Sequence, residues 1–383
     1  MKPSAWSMAR VLAITTTISY GILFYSFGVF IKPMEAELGF SRAQSSLAFS
    51  MALLIAGLAA IPIGRYVDKH GARAVMTLGS ILATVLVLAW SKIESLVGLY
   101  VVWLLMGLAM SAIFYEVAFT VVAVWFDQQR QKAMLLITLV AGLASTIFIP
   151  LETFLISQMG WRRALVVLTG MVAITIPLHA VFLRHKPHSV SVAKSDAAEP
   201  IMRTSRFWWF VVAIATVRIA ASAMSAHAVP LLLERGYTPA LAATMTGSIG
   251  LMQLVGRIFF TPLTSKNSLF TLAIWTFGIH ALGLTMLFFF AVSSVWLFVI
   301  LFGASNGAIT LARAGLLAEI YGSRHYGQLN GVMALVTAVM GAVAPLLAGI
   351  LHDVTGGYTV VLVVIVLTTI SSTWMIYKVK CYV

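Results

Sequence analysis

Apolar stretches of about 20 residues recur along the whole chain, separated by short polar breaks, and that is the length a helix needs to cross a bilayer. Twelve such runs stand out. The first six are Ala9–Ile31, Ser45–Gly64, Ala74–Trp90, Leu96–Phe126, Met134–Gln158 and Ala164–Leu183. The second six are Phe207–Leu233, Leu241–Pro262, Leu269–Ala291, Val295–Ile320, Gly327–Leu351 and Thr359–Tyr377. They are too long and too continuously apolar for barrel strands. In lipid every backbone N–H and C=O must be paired within its own segment, so each run is expected to be a helix. One long polar stretch, Arg184–Arg206, breaks the rhythm and lacks an apolar period, which marks a linker. The expectation is an all-α integral membrane protein: twelve transmembrane helices in two six-helix, pseudo-symmetric bundles, residues 1–183 and 207–383, joined by a cytoplasmic linker at 184–206.

Composition agrees with this pattern. The 383 residues are 61% hydrophobic and only 10% charged, too apolar for a soluble domain. The formal charge of +13 by itself suggests nucleic acid, but the positions of the basic residues point elsewhere. With both termini inside, sixteen Lys and Arg residues fall on the inner side, against six outside: Lys32, Arg42, Lys92, Arg162, Arg163 and Arg235. That asymmetry orients the chain in the cytoplasmic (inner) membrane, and the basic excess meets anionic lipid heads rather than nucleic acid. The single cysteine, Cys381, allows no intrachain disulfide. The stretch after Lys2 and Arg10 is too long for a signal-peptide core and is read as a retained first span.

The halves echo each other. GRYVDKHGAR begins at Gly64 after the second span, and GRIFFTPLTSK begins at Gly256 near the end of the eighth. Gly142 and Pro150 of the fifth span match Gly341 and Pro345 of the eleventh. Gly107 precedes Glu116 on the fourth span much as Gly303 precedes Arg313 on the tenth.

GRYVDKHGAR resembles the signature loop of the major facilitator superfamily, with Gly64, Arg65, Asp68, Gly71 and Arg73 in it. There Gly64 is expected to let helices approach closely and Gly71 to make a tight turn. Asp68 is expected to accept hydrogen bonds at a helix N-terminus. Within that superfamily the chain is similar to the monocarboxylate-porter and oxalate–formate-antiporter branch. The stretches that carry this are SYGILFYSFGVFIKPMEAELGFSR from Ser19, AEIYGSRHYGQLNG from Ala318 and APLLAGILHDVTGGY from Ala344. The resemblance implies an arginine on the eighth helix that pairs with substrate carboxylate, here Arg257. Many members have an aspartate one turn earlier, where this chain has Gln253, and a first-helix lysine is common in the animal members, where it has Tyr25.

Charges inside apolar helices are costly, about 3 kcal/mol or more on insertion scales, so those present call for a reason. Glu116, Glu152, Arg218 and Arg313 are such residues. The resemblance implies that helices one, four, seven and ten line a central cavity. Tyr20 and Tyr25, Glu116, Arg218 and His227, and Arg313 lie on those helices. Arg313, Arg218 and Arg257 are candidate anion receptors, because guanidinium stays charged and pairs carboxylate through two parallel hydrogen bonds; Tyr20, Tyr25 and Gln253 join them as candidate substrate contacts. For each arginine the plainer reading is structural: a pair between Arg313 and Glu116, an Arg218 held by carbonyls, an Arg257 left from the repeated Gly-Arg loop. Glu116, His227 and Glu152 are candidate proton carriers, with a helix brace as the plain reading of Glu152 beside Pro150. Met224 and His227 are too sparse a pair to argue for a metal.

No phosphate-cradling or hydrolase motif is present, so neither ATP-driven pumping nor catalysis has a basis in the sequence, and no cofactor is expected. The chain is expected to be a monomeric secondary transporter of a small organic anion, a monocarboxylate, working by alternating access with proton coupling or anion exchange. An exporter of drugs or metabolites on the same fold is the alternative. The fifth helix speaks against it, because Leu151, Glu152 and Thr153 follow Pro150 where many drug–proton antiporters carry a Gly-rich pattern. A transporter-like membrane sensor is a remoter one.

Overall fold

A computed structural model describes residues 4–126, 129–183, 199–264, 267–289, 291–321 and 326–381. Among the described residues it is helical, and ten helical stretches are long and apolar enough to cross a membrane. One of these, Arg130–Phe182, holds two of the twelve apolar runs. Pro239–Leu263, also helical, holds the eighth. The expected linker lies outside the described residues at positions 184–198.

The chain divides into two compact units, Met1–Val190 with Tyr237–Gly247, and Ser191–Gly236 with Ser248–Val383. In the first unit span one is α1 (Ala5–Ser19), a π-helical turn (Tyr20–Tyr25) and α2 (Ser26–Leu38). Spans two and three are α3 (Arg42–His70) and α4 (Ala72–Trp90). Span four is broken at Phe114 into α5 (Leu96–Ile113) and α6 (Tyr115–Trp125), because Phe114 is extended (φ −87°, ψ −170°). Spans five and six run through α7 (Arg130–Ala141), α8 (Ala144–Ala173) and α9 (Thr175–Phe182). The turn between those spans is Gly160, at φ 77° and ψ 163°, a backbone conformation that only glycine adopts without strain.

In the second unit a short α10 (Glu199–Met202) leads into α11 (Ser205–Glu234), span seven. Then follow α12 (Pro239–Leu263), whose first turns belong to the first unit, α13 (Leu269–Thr285), α14 (Val292–Tyr321), α15 (Tyr326–Thr355) and α16 (Tyr358–Cys381).

Without a hydrophobic force between helices in lipid, close packing of small residues holds such bundles together. In the first unit a Cβ on Gly107 of α5 would strike the Ala52 carbonyl and the Ile55 side chain of α3. In the second, a Cβ on Gly303 of α14 would come within 2.6 Å of Met252 Cβ and 2.9 Å of the Ile249 carbonyl on α12. Glycines matched between the halves therefore seat matched helix pairs. Gly64 corrects an expectation: among the described residues nothing lies within 4 Å of where its Cβ would be. The close approach belongs to its counterpart Gly256, where a Cβ would overlap the Ala304 carbonyl of α14. Gly71 behaves as expected, turning the chain at φ 80° and ψ 162° between α3 and α4.

Each unit has its own core. Leu12, Met76, Val121 and Ile137 centre the first, and Phe210, Phe277, Leu316, Met333 and Ile376 the second. Large apolar side chains such as Leu78, Val97, Phe154, Ile258 and Leu367 stay exposed, as lipid-facing residues do.

Candidate functional site

A fully buried polar pair of the first unit forms where span one changes helical register. The π turn Tyr20–Tyr25 ends against α2, whose first residue is Ser26. Gly21 in that turn lies against the ring of Phe148 on α8, leaving no room for a Cβ. One turn further along α8 is Glu152, with 0% of its surface exposed. The Ser26 hydroxyl donates to Glu152 Oε1, and among the described residues Glu152 Oε2 has no hydrogen-bond partner. Among the described residues Glu152 is the only fully buried acid. π turns inside helices collect at functional sites, and here one delivers a hydroxyl to an intramembrane carboxyl. Pro150 lies two residues before Glu152 within the same helix. Proline lacks the N–H that would pair with the carbonyl four residues back, which loosens α8 locally.

Tyr20 stacks on Phe114 with ring centroids 4.0 Å apart and reaches Tyr115 at 4.8 Å. Span one is thus joined to the break in span four. Glu116 is in the first turn after that break, at a helix N-terminus that favours negative charge. Its side chain is exposed rather than enclosed among apolar neighbours. Two first-span hydroxyls serve their own helix: Thr15 Oγ1 donates to the Leu12 carbonyl at 3.4 Å and Thr17 Oγ1 to the Ala13 carbonyl at 2.7 Å.

In the second unit α11 and α15 are stitched through two carbonyls. Pro345 cannot donate to Gly341, and the carbonyl so released accepts the Ser222 hydroxyl. One helical turn along, the Pro345 carbonyl meets His227 Nε2 at 2.9 Å. A carbonyl only accepts, so Nε2 carries the proton, and in the neutral ring Nδ1 accepts from the Tyr358 hydroxyl at 2.9 Å. His227 is 1% exposed and engaged through both nitrogens, as a packing histidine is. Tyr358 stands at the start of α16, with its ring 4.7 Å from that of His352, which in turn pairs with Glu234 at 3.1 Å.

Arg218 is on the same α11 as Ser222, one turn earlier. Its side chain passes the face of Gly341, whose Cβ would stand 3.6 Å from Arg218 Cγ, and it is exposed. Among the described residues it has no hydrogen bond or ion pair. Arg313 on α14 is half-buried and donates from Nη2 to Asn330 Oδ1 of α15 at 3.1 Å. Arg257 and Gln253 are half-buried on α12, with the Gln253 backbone packed on Gly307 of α14. Tyr25 is half-buried at the end of the π turn. In the signature loop Arg65 and Arg73 are exposed, and the side chain of Asp68 lies outside the described residues.

Sequence reasoning passed over two buried imidazoles. His179 of α9 meets Ser80 Oγ of α4 at 2.8 Å, and His280 of α13 meets Ser305 Oγ of α14 at 2.9 Å. Both are 0% exposed. A histidine inside an apolar run is the available signal, but its serine partner is on another helix and leaves no local trace. Among the described residues no three His, Cys, Asp or Glu side chains converge as metal ligands.

Comparison with known proteins then fixes the class. The family profile described as Major Facilitator Superfamily matches residues 13–312. The chain belongs to that superfamily: it is a multi-pass secondary transporter of small solutes, not an enzyme. It is 26% identical to monocarboxylate transporter 13 of Rattus norvegicus, over 94% of this chain and 85% of that protein. It is 24% identical to YcxA of Bacillus subtilis, an uncharacterized MFS-type transporter, over 92% of this chain and 90% of that one. Among solved structures it superposes on the nucleoside transporter NupG with a TM-score of 0.82 at 10% identity, covering 98% of this chain and 99% of NupG. A bacterial homolog of the human lysosomal transporter Spinster gives 0.74 at 12% identity, covering 100% and 96%. These two likenesses speak to the fold.

Proposed function

We propose that the chain carries a small organic anion, a monocarboxylate, across the cytoplasmic membrane by alternating access, driven by protons or by exchange with a second anion. The observation that carries this reading is Arg218. A guanidinium near the middle of a 30-residue apolar helix, exposed and with no carboxylate partner among the described residues, has the chemistry of an anion receptor. Arg257 and Arg313 place further positive charge in the apolar spans of the same unit. The similarity to a monocarboxylate transporter over most of the chain supports the substrate class. Gln253, half-buried on α12 of the same unit, is a further polar group for the solute.

Glu152 is the proton carrier in this reading, ahead of Glu116 and His227. A carboxylate held by one hydroxyl and no described cation costs several kcal/mol when enclosed. The carboxylic acid costs far less, so loading and unloading a proton changes the stability of that packing. Glu116 is exposed and His227 is engaged at both nitrogens, which leaves each a weaker lever. The basic asymmetry supports a cytoplasmic position for the Gly64–Arg73 loop and both termini in this reading.

The test is binding of labelled monocarboxylates to purified protein, wild type against Arg218→Ala and Arg218→Lys. Loss of at least tenfold in affinity in the alanine variant, with partial retention in the lysine variant, is expected. Unchanged affinity in both removes Arg218 from the site.

A further inference from the structure

One end of the second unit holds a surface cavity lined by none of the candidate substrate or proton residues. It has a volume of about 290 Å³ and is lined by Arg203, Ser205, Trp208, Trp209 and Val212, where α11 begins. The local chain is firmly built. Thr204 caps α11, its Oγ1 accepting the Phe207 N–H at 3.3 Å. The Trp208 indole N–H donates to the Met202 carbonyl at 2.8 Å, which fixes that ring with its body toward the surface. Trp209 meets Trp374 of α16 edge to face, with centroids 5.5 Å apart. The ammonium of Lys378 stands 5.3 Å from the Trp374 ring centroid. Three indoles and a lysine, with Arg203 at the cavity wall, therefore gather at the start of one membrane helix and the end of another.

We propose that this cavity seats the phosphate-bearing headgroup of an anionic phospholipid. Three properties single out that ligand. Arg203 brings positive charge to the cavity wall, and the first turn of α11 adds the Ser205 hydroxyl and the positive end of the helix. Indole rings concentrate at the level of lipid headgroups, where one edge is wet and the body is apolar. Beyond the indoles, Ile370 and Leu367 continue from Trp374 along one exposed stripe of α16, a track for an acyl chain that a free anion would not use. The bound lipid would tie α10–α11 to α16 within this unit. The inference does not depend on which solute is carried.

The experiment measures lipid binding to the full-length purified protein by native mass spectrometry and by the shift in melting temperature. The probes are phosphatidylglycerol, phosphatidylcholine and inorganic phosphate. Phosphatidylglycerol is expected to bind and to raise the melting temperature, and phosphatidylcholine to do so much less. Arg203→Ala is expected to weaken phosphatidylglycerol binding roughly fivefold, and Arg203→Ala with Lys378→Ala further. Arg203→Lys should keep part of the affinity. Lys92→Ala, an exposed lysine of the first unit, should leave it unchanged and so control for general charge. Equal binding of the two lipids, or equal loss in Lys92→Ala and Arg203→Ala, overturns the proposal. Full competition by inorganic phosphate at millimolar concentration also overturns it, because the site then takes free anion rather than lipid.

Discussion

Replacing Glu152 with glutamine tests the proton assignment through the sign of a stability change. Glutamine keeps the shape of the side chain and the carbonyl that receives the Ser26 hydroxyl. It puts an amide N–H₂ where Oε2 now sits without a partner. If the native group is a carboxylic acid, one unpaired buried donor is exchanged for two. Each unpaired polar group costs about 1–3 kcal/mol, so a net loss of roughly 1–2 kcal/mol and a fall in melting temperature of a few degrees at most are expected. If the native group is a carboxylate with only one hydroxyl as donor, removing its charge relieves several kcal/mol, and the variant becomes more stable. The assays are thermal unfolding in detergent, solute counterflow in proteoliposomes, and accumulation driven by an imposed pH gradient. The account predicts a small loss of stability, counterflow close to wild type, and loss of pH-driven accumulation. A melting temperature raised by several degrees, or accumulation that still follows the pH gradient, refutes the reasoning.

Three further outcomes follow from the packing. Gly256→Ala should destabilise the second unit by about 1–3 kcal/mol, because the added methyl overlaps the Ala304 carbonyl, while Gly64→Ala in open space should be neutral or slightly stabilising; parallel melting curves check the contrast. Tyr358→Phe should cost about 1 kcal/mol by removing the hydrogen bond between the Tyr358 hydroxyl and His227 Nδ1, with solute affinity unchanged if His227 is a packing group, read by melting and by binding. Gly71→Ala should cost about 1–3 kcal/mol of backbone strain at φ 80° and lower the folded yield from membranes.

Much of the architecture could be read from the sequence because lipid imposes one length and one backbone solution on every span. The twelve apolar runs each correspond to helix, and Gly71 turns where the motif requires it. Other features were hidden for physical reasons. The π turn Tyr20–Tyr25 has the composition of ordinary helix, and its one-residue change of register leaves no mark in an apolar run. Gly64 and Gly256 begin the same dipeptide, yet one faces open space and the other a neighbouring backbone, a difference made entirely by the packing partner. A charge in an apolar run announces cost but not direction. Glu116 and Arg218 prove exposed while Glu152 is enclosed, and hydropathy cannot separate those cases. Ser26 and Glu152 are 126 residues apart, so their pairing exists only in the folded bundle.

The most direct test of the whole account is uptake into proteoliposomes of a panel of labelled monocarboxylates, with and without an inward proton gradient or a preloaded counter-anion. The account predicts accumulation of at least one monocarboxylate above its equilibrium level under one of those driving conditions, abolished in Arg218→Ala. A protein that is folded and reconstituted, yet moves drugs or neutral metabolites and no organic anion under either condition, contradicts it.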